Sequence, residues 1–187
     1  GARRDAVGRS HPTIGVLEHP FETGVFTGPD FQAVYQTDGH GFRNPSPWPP
    51  EADLMVVGDG VAFGYGVEDA QAWPALLAQW LAPQRVLNLG LVDAGLQQYL
   101  RVYETFESAL HPRMVLVGLS LANAFEDADL FDRWWQTDGR ENYRAWKAFE
   151  QLSLHHPLAT VHTLVSRYSS LFRFVWPQRA RVTHVRC

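Results

Sequence analysis

Residues 53–67 read Asp-Leu-Met-Val-Val-Gly-Asp-Gly-Val-Ala-Phe-Gly-Tyr-Gly-Val, and this stretch decides the fold. It opens on the apolar run Leu54–Val57, whose shortness and β-branched residues predict a buried parallel strand. Gly58–Gly60 predicts a tight turn, and a helical pattern begins near Ala70. Strand, glycine-rich turn and helix in this order place a loop at the carboxyl edge of an open α/β sheet. An ordinary βα turn without a functional role fits the same pattern.

The alternation continues along the chain. A helix is predicted over 70–81, a second strand over Arg85–Leu89, a second helix over 96–110 and a third strand over Met114–Val117. This β–α–β–α–β order predicts a parallel sheet with right-handed crossovers.

The flanking regions predict a different organisation. We expect a single domain over 1–187, divided into an extended N-terminal arm (1–33), an α/β core (34–125) and a helical C-terminal part (126–187). The core is expected to open on a short strand over Val34–Thr37. Residues 119–132 predict an acidic loop, followed by helices over 141–152 and 159–176.

Composition limits the classes of protein to consider. The chain has 187 residues, is 45% hydrophobic and carries a net charge of −4, which is typical of a globular domain and argues against nucleic-acid binding. Its single cysteine, Cys187, excludes an internal disulfide and a cysteine-based zinc cluster. No apolar run approaches the roughly 20 residues that span a bilayer.

Two segments carry a family resemblance. Gly58–Gly60 followed by Phe63–Val67 resembles the first block of the SGNH (GDSL-type) hydrolases, which reads Gly-Asp-Ser and then commonly Phe-x-x-Gly-x-Gly-Val. Asp38–Pro45 resembles a segment that precedes this block in one bacterial branch. The family's serine is its nucleophile, and here Gly60 takes its place. Glycine has no side chain, so it cannot attack a carbonyl carbon.

The second and third blocks match in part. Asn88–Gly95 resembles the family's second block, but Asp93 stands where the resemblance places the glycine that donates to the oxyanion. A carboxylate there would repel the developing negative charge. Gly118–Ala124 resembles the third block. Its Asn123 matches the oxyanion asparagine, while Ala124 replaces the usual aspartate.

The fourth block has no counterpart. The family closes with Asp-x-x-His, whereas His184 is preceded three residues earlier by Arg181. With nucleophile, oxyanion glycine and base all altered, we expect no enzyme activity, no catalytic residue, no cofactor and no metal. The vestigial positions would be Asp59, Gly60, Asp93 and Asn123.

The resemblance implies a fold and a role. The fold is a three-layer α/β domain with a flavodoxin-like SGNH-type parallel sheet, truncated after the third core strand, with an N-terminal arm and C-terminal helices. The role is an inactive structural or binding subunit of a larger bacterial assembly, extracytoplasmic or membrane-associated, anchored through a segment outside this sequence. Protein partners are expected, a membrane complex among them, and nucleic acid is not. A small-molecule or glycan ligand stays open.

Two alternative functions remain, each with its own residues. One is an esterase or acyl hydrolase disabled by substitution or lacking its C-terminal half, for which Ser120 is the substitute nucleophile. The other is a carbohydrate-binding module that uses Trp134 and Trp135, although packing against the sheet or a partner is favoured for this pair. His155–His156 is more typical of a loop or cap than of a metal site. The helix over 159–176 fits core packing better than a membrane surface.

Overall fold

The computed structural model describes residues 8–120, 124–137 and 142–155. The chain forms two compact units, Gly1–Arg144 and Ala145–Cys187. The elements below belong to the first unit, apart from the part of the last helix that lies beyond Arg144.

A three-stranded parallel sheet forms the centre of the first unit. Its strands are β5 (Leu54–Gly58), β6 (Val86–Gly90) and β7 (Met114–Gly118), in the order β6-β5-β7. Gly58 is in register with Gly90 on one side and with Gly118 on the other. The predicted mixed α/β fold with three parallel strands is therefore confirmed.

The helices that connect these strands begin close to their predicted positions. A one-turn helix, α1 (Gly60–Phe63), follows β5, and a 3-10 turn (Asp69–Gln71) leads into α2 (Trp73–Trp80). Proline is tolerated in the first turn of α2 because the backbone amides of that turn have no hydrogen-bond acceptor within the helix. The crossover helix α3 (Leu96–Leu110) has the predicted bounds.

The two faces of the sheet pack against different elements. Met55 and Val57 of the central strand face a large core that includes Tyr99 and Val102 of α3. Leu54 and Val56 face a smaller core formed with α1 and with Trp73 of α2. β5 is buried along its whole length, as expected for a central parallel strand.

Two antiparallel hairpins precede the sheet, where an extended arm was expected. The first pairs β1 (Arg9–His11) with β2 (Gly15–Leu17), and the second pairs β3 (Thr23–Thr27) with β4 (Gln32–Gln36). The strand predicted over 34–37 thus begins earlier and pairs with residues assigned to the arm. Strands this short have too weak a periodicity to be predicted from the sequence.

The prediction of an acidic loop over 119–132 is wrong for most of this range. Residues Ala124–Gln136 form helix α4, which is followed by α5 (Tyr143–His155). α4 buries Asp127, Leu130, Phe131 and Trp134, a spacing that places all four on one helical face. The helix predicted over 141–152 is confirmed with slightly different bounds. The helix predicted over 159–176 and His156 lie outside the described residues.

Within the described part of the chain, no helix combines the length and apolarity needed to cross a membrane.

Candidate functional site

The loop after β5 is built around Asp59. This carboxylate is 6% exposed and accepts a hydrogen bond from the Val61 amide at 2.9 Å, so it caps α1. Gly64 ends the helix at φ 89°, a conformation that favours glycine. The single turn α1 was not predicted, because four residues are too few to show a helical period. Asp59 therefore has a structural role that needs no catalysis.

Gly60 opens α1 at the position where the sequence resemblance places a nucleophilic serine. A Cβ added there would meet only the Tyr65 Cβ, at 3.6 Å, which is ordinary van der Waals contact, and the backbone lies outside the left-handed region. By contrast, a Cβ at Gly58 would lie 2.7 Å from the Ala62 Cβ, and one at Gly90 would lie 2.9 Å from the same atom. The fold needs glycine at 58 and 90 but does not need it at 60.

Asp93 lies on the neighbouring loop, after β6. Its φ of 60° places it in the left-handed region, which is uncommon for a residue with a side chain. Glycine, the residue that the family resemblance puts here, would adopt this backbone at no steric cost. Since β5 and β6 are parallel and in register, the Asp59 and Asp93 loops leave the same edge of the sheet.

A buried cation accompanies the Asp93 loop. Arg144 donates to the Glu18 carboxylate at 2.7 Å and to the Val92 carbonyl at 3.3 Å. Burial lowers the pKa of Arg144, but the fields of Glu18 and then Asp93 outweigh burial, and the net shift is upward. The carboxylates here are therefore matched by a fixed positive charge.

Two buried tyrosines, Tyr99 and Tyr143, lie in the same region, and both are in the protonated phenol form. Burial first, and then the fields of Asp59 and Asp127, raise the pKa of Tyr99, whose hydroxyl donates to the Ala94 carbonyl at 3.0 Å. Burial, and then Asp127 and Asp93, raise the pKa of Tyr143. Both side chains therefore stay protonated at neutral pH, and neither offers a phenolate base.

The segment that resembles the third block, Gly118–Ala124, is described only in part. Asn123 lies outside the described residues. Ser120 is half-buried, and its carbonyl accepts from the Ala124 amide at 3.2 Å, which joins the end of β7 to the start of α4. In the described part of the chain, no hydrogen bond joins the Ser120 hydroxyl to a histidine.

The histidines whose side chains are described lie elsewhere. His11 belongs to β1, His40 stacks on Trp48 with ring centroids 4.0 Å apart, and His111 caps α3 next to the amino end of β7. His19 precedes β3 and accepts at its carbonyl from the Thr37 hydroxyl. Among the described residues, none of these rings contacts the loop at Gly60, so this part of the chain supplies that position with no histidine base.

The segment before β5 fixes the glycine-rich loop. Arg43, buried with a side-chain exposure of 1%, donates to Asp69 at 2.7 Å. This ion pair joins the segment before β5 to the 3-10 turn that precedes α2. The same guanidinium also donates to three loop carbonyls, those of Phe63, Gly64 and Val67. The loop that follows Gly60 is therefore held in one shape by a planar, multidentate donor.

Asn44 and Asp38 extend this network to the sheet. Asn44 donates through Nδ2 to the Asn88 carbonyl at 2.9 Å and accepts at Oδ1 from the Asn88 amide at 2.7 Å, so its side chain pairs with the outer edge of β6. Asp38 accepts from Asn44 Nδ2 at 3.0 Å and from Trp48 Nε1 at 2.7 Å. The sequence pattern marks this segment but not these roles, because the contacts join residues 44 positions apart in the chain.

The tryptophan pair does not form one exposed platform. Trp134 is 1% exposed and packs on Phe131 and Tyr143, while Trp135 is 42% exposed. The two indole planes are inclined at 58°, and the Arg101 guanidinium lies 4.9 Å from the Trp135 ring centroid. Flat stacking of a sugar ring on both indoles would require Trp134 to leave the core.

In the described residues, no cluster of three or more histidine, cysteine or carboxylate side chains has an arrangement that could hold a metal ion. Compared with protein-family models and with the curated proteins, the chain matches none of them.

Proposed function

We propose that this chain is a noncatalytic SGNH-hydrolase-like domain that serves as a structural or binding subunit of a larger assembly. The proposal rests on Gly60. The position of the family nucleophile has room for a side chain and a backbone that accepts one, yet it carries none. Packing therefore does not explain the missing hydroxyl, whereas loss of the reaction does.

The neighbouring groups support the same interpretation. Asp93 places a carboxylate at the edge where an oxyanion would develop, and a negative charge there raises the energy of that transition state. Asp59 is engaged in capping α1. The preserved feature is the rigid loop held by Arg43, which is a property of a scaffold.

The setting that we propose is extracytoplasmic or membrane-associated, with protein partners, and it rests on the bacterial branch that the sequence resembles. An apolar strand at the sheet edge also supports a binding role. Met114, at the start of β7, is 62% exposed and Val117 is 52% exposed. Parallel strands are normally covered on both faces, so these side chains are available to a partner.

An esterase assay tests the loss of catalysis. We expect the purified chain to hydrolyse p-nitrophenyl acetate and butyrate no faster than buffer, and a fluorophosphonate probe to leave it unlabelled. Gly60→Ser should behave in the same way, because a hydroxyl without a base is not activated. A rate above buffer that Ser120→Ala abolishes would contradict the proposal and favour the esterase alternative.

A further inference from the structure

The first four residues of β7, 114–117, are exposed, and Gly118 is half-buried. Val115 and Leu116 are each 36% exposed, and Met114 and Val117 more so. Val115 is in register with Met55 and Leu116 with Val56, both of which are fully buried. Neighbours in register share a face of the sheet, so among the described residues 114–117 of β7 lack the cover that β5 has on both faces, while Gly118 lies beside Trp73.

The outer edge of β7 presents backbone groups that no described strand pairs with. β7 pairs with β5 alone among the strands that the structure describes. The Met114 amide donates to the Asp53 carbonyl at 3.1 Å and so points toward β5. Because successive residues of a strand alternate in direction, the amides and carbonyls of Val115 and Val117 point outward. Strands that avoid association place charges at such an edge, and residues 114–118 contain none.

We propose that β7 pairs with β7 of a second copy of this chain, antiparallel, about a two-fold axis that passes Leu116. In this register Val115 faces Val117 of the other copy. The backbone amides and carbonyls of both residues point outward, so each such pair exchanges two hydrogen bonds. Leu116 faces Leu116 of the other copy as a non-hydrogen-bonded pair. Met114 faces Gly118 of the other copy, beside the Trp73 side chain, which lies 3.3 Å from where a Cβ on Gly118 would be. An isologous contact of this kind closes on itself.

Charge favours the antiparallel direction. Arg113, just before β7, lies 3.7 Å from the Asp53 carboxylate of its own chain and is still 82% exposed, and Glu126 is exposed in the first turn of α4. The bond from the Ala124 amide to the Ser120 carbonyl keeps that turn beside the carboxyl end of β7. Antiparallel pairing brings Arg113 of each copy to the carboxyl end of the other, toward its Glu126. A parallel arrangement would bring the two arginines together instead.

The contact is small, so we expect a reversible dimer. One five-residue strand per copy buries less than the roughly 1,200 Å² typical of stable specific complexes. Sedimentation equilibrium over a series from about 1 μM to 1 mM should show the apparent mass rising from 21.2 kDa toward twice that value. A mass that stays at 21.2 kDa throughout would overturn the proposal.

Substitution at the axis tests the surface. Leu116→Lys places two ammonium groups face to face in the dimer, and we expect at least a tenfold weaker association. Trp80→Lys is the matched control, since Trp80 is 79% exposed on α2, and it should associate like the parent. Equal association of both variants with the parent would exclude β7. Circular dichroism checks that each variant is folded.

A cysteine at the axis tests the register. In a Cys187→Ser background, Leu116→Cys should form a disulfide-linked dimer under mild oxidation, because non-hydrogen-bonded pairs have Cα atoms about 4.5 Å apart. Val115→Cys in the same background should not, since its own symmetry mate lies two residues away along the strand. Cross-linking of Val115→Cys alone would contradict this register.

A charge swap tests the direction of pairing. Arg113→Glu should weaken the dimer several-fold, and Arg113→Glu combined with Glu126→Arg should restore it, because the swap acts across the interface in both directions. Failure of the double variant to recover would contradict antiparallel pairing. The inference rests on the binding role proposed above but can fail by itself. A chain that stays monomeric and hydrolyses no ester would overturn the dimer and leave the noncatalytic role in place.

Discussion

At the scale of single residues, two glycines of one sheet edge have opposite constraints. Gly90 cannot carry a side chain because a Cβ there would press on Ala62 in α1, whereas Gly60 has open space. Both positions are glycine in the sequence, so the sequence pattern does not distinguish their constraints. The structure thus separates a glycine that packing requires from one that packing does not require.

Gly60→Ser is expected to fold and to be as stable as the parent or up to about 1 kcal/mol more stable, because glycine in a helix costs conformational entropy. Urea unfolding measures the difference. Gly90→Ser is the control and should be strongly destabilised, since its side chain would clash with α1. A large loss of stability in Gly60→Ser would contradict the view that position 60 is sterically free.

His11 predicts a pH dependence of stability. Its Nδ1 accepts from the Ile14 amide at 3.2 Å and lies 3.2 Å from Thr13 Oγ1. Burial, and then the field of Arg9, lower its pKa below 6.5. The unfolded chain therefore binds this proton more readily, so the contribution of His11 is complete above pH 6.5 and is lost as the pH falls through the folded-state pKa.

Urea unfolding at a series of pH values from 8 to 5 measures this effect. His11→Asn keeps an acceptor near the turn but does not titrate, so its stability should fall less steeply between pH 6.5 and 5 than that of the parent. Parallel curves for the two proteins would show that His11 does not couple protonation to folding.

Arg43 predicts the largest loss of stability for a polar side chain. Arg43→Met keeps the bulk but leaves the loop carbonyls of Phe63 and Gly64 without their donor, and we expect a loss of about 3 kcal/mol. Arg101→Met is the control, because the Arg101–Glu104 pair is half exposed, and it should cost less than about 1 kcal/mol. Similar losses in chemical denaturation would contradict the central role of Arg43.

At the scale of elements, the local hydrophobic pattern predicted the βα units. Each element that was predicted wrongly has a physical cause. α3 was predicted with its observed bounds because its apolar face repeats regularly over fifteen residues. The loop prediction at α4 follows from the acidic residues at 126–132. It is wrong because Leu130, Phe131 and Trp134 in the same stretch have the spacing of one helical face. The first hairpins contain strands of three to five residues, too short for a clear period.

The hydrogen bonds between Asn44 and the outer edge of β6 predict how much this side chain stabilises the fold. Asn44→Ala removes both hydrogen bonds to the Asn88 backbone and should cost about 1–3 kcal/mol. Asn44→Asp should cost more, because it keeps the acceptor but turns the group that donates to Asp38 into a second carboxylate. Thermal unfolding at neutral pH compares the two. A milder effect of Asn44→Asp would contradict the Asp38–Asn44 contact.

At the scale of the whole molecule, the position of a strand in the sheet decides what its side chains contribute. Leu89 on β6 is fully buried, whereas Leu116 on β7 is 36% exposed. Leu89→Ala should cost about 3–5 kcal/mol, and Leu116→Ala less than about 1.5 kcal/mol. Urea unfolding at low micromolar concentration, where the proposed dimer has dissociated, makes the comparison. Equal losses would mean that β7 is as well covered as β6.

The sequence by itself determined the parallel βα order over 54–118 and the absence of a hydroxyl at position 60, because both depend on local pattern and residue identity. The tertiary structure alone decided that Gly60 is sterically free, that Asn44 pairs with Asn88 and that the described residues leave 114–117 of β7 exposed. These properties are set by atoms distant in the chain. An apolar run has the same pattern whether neighbouring elements bury it or leave it open.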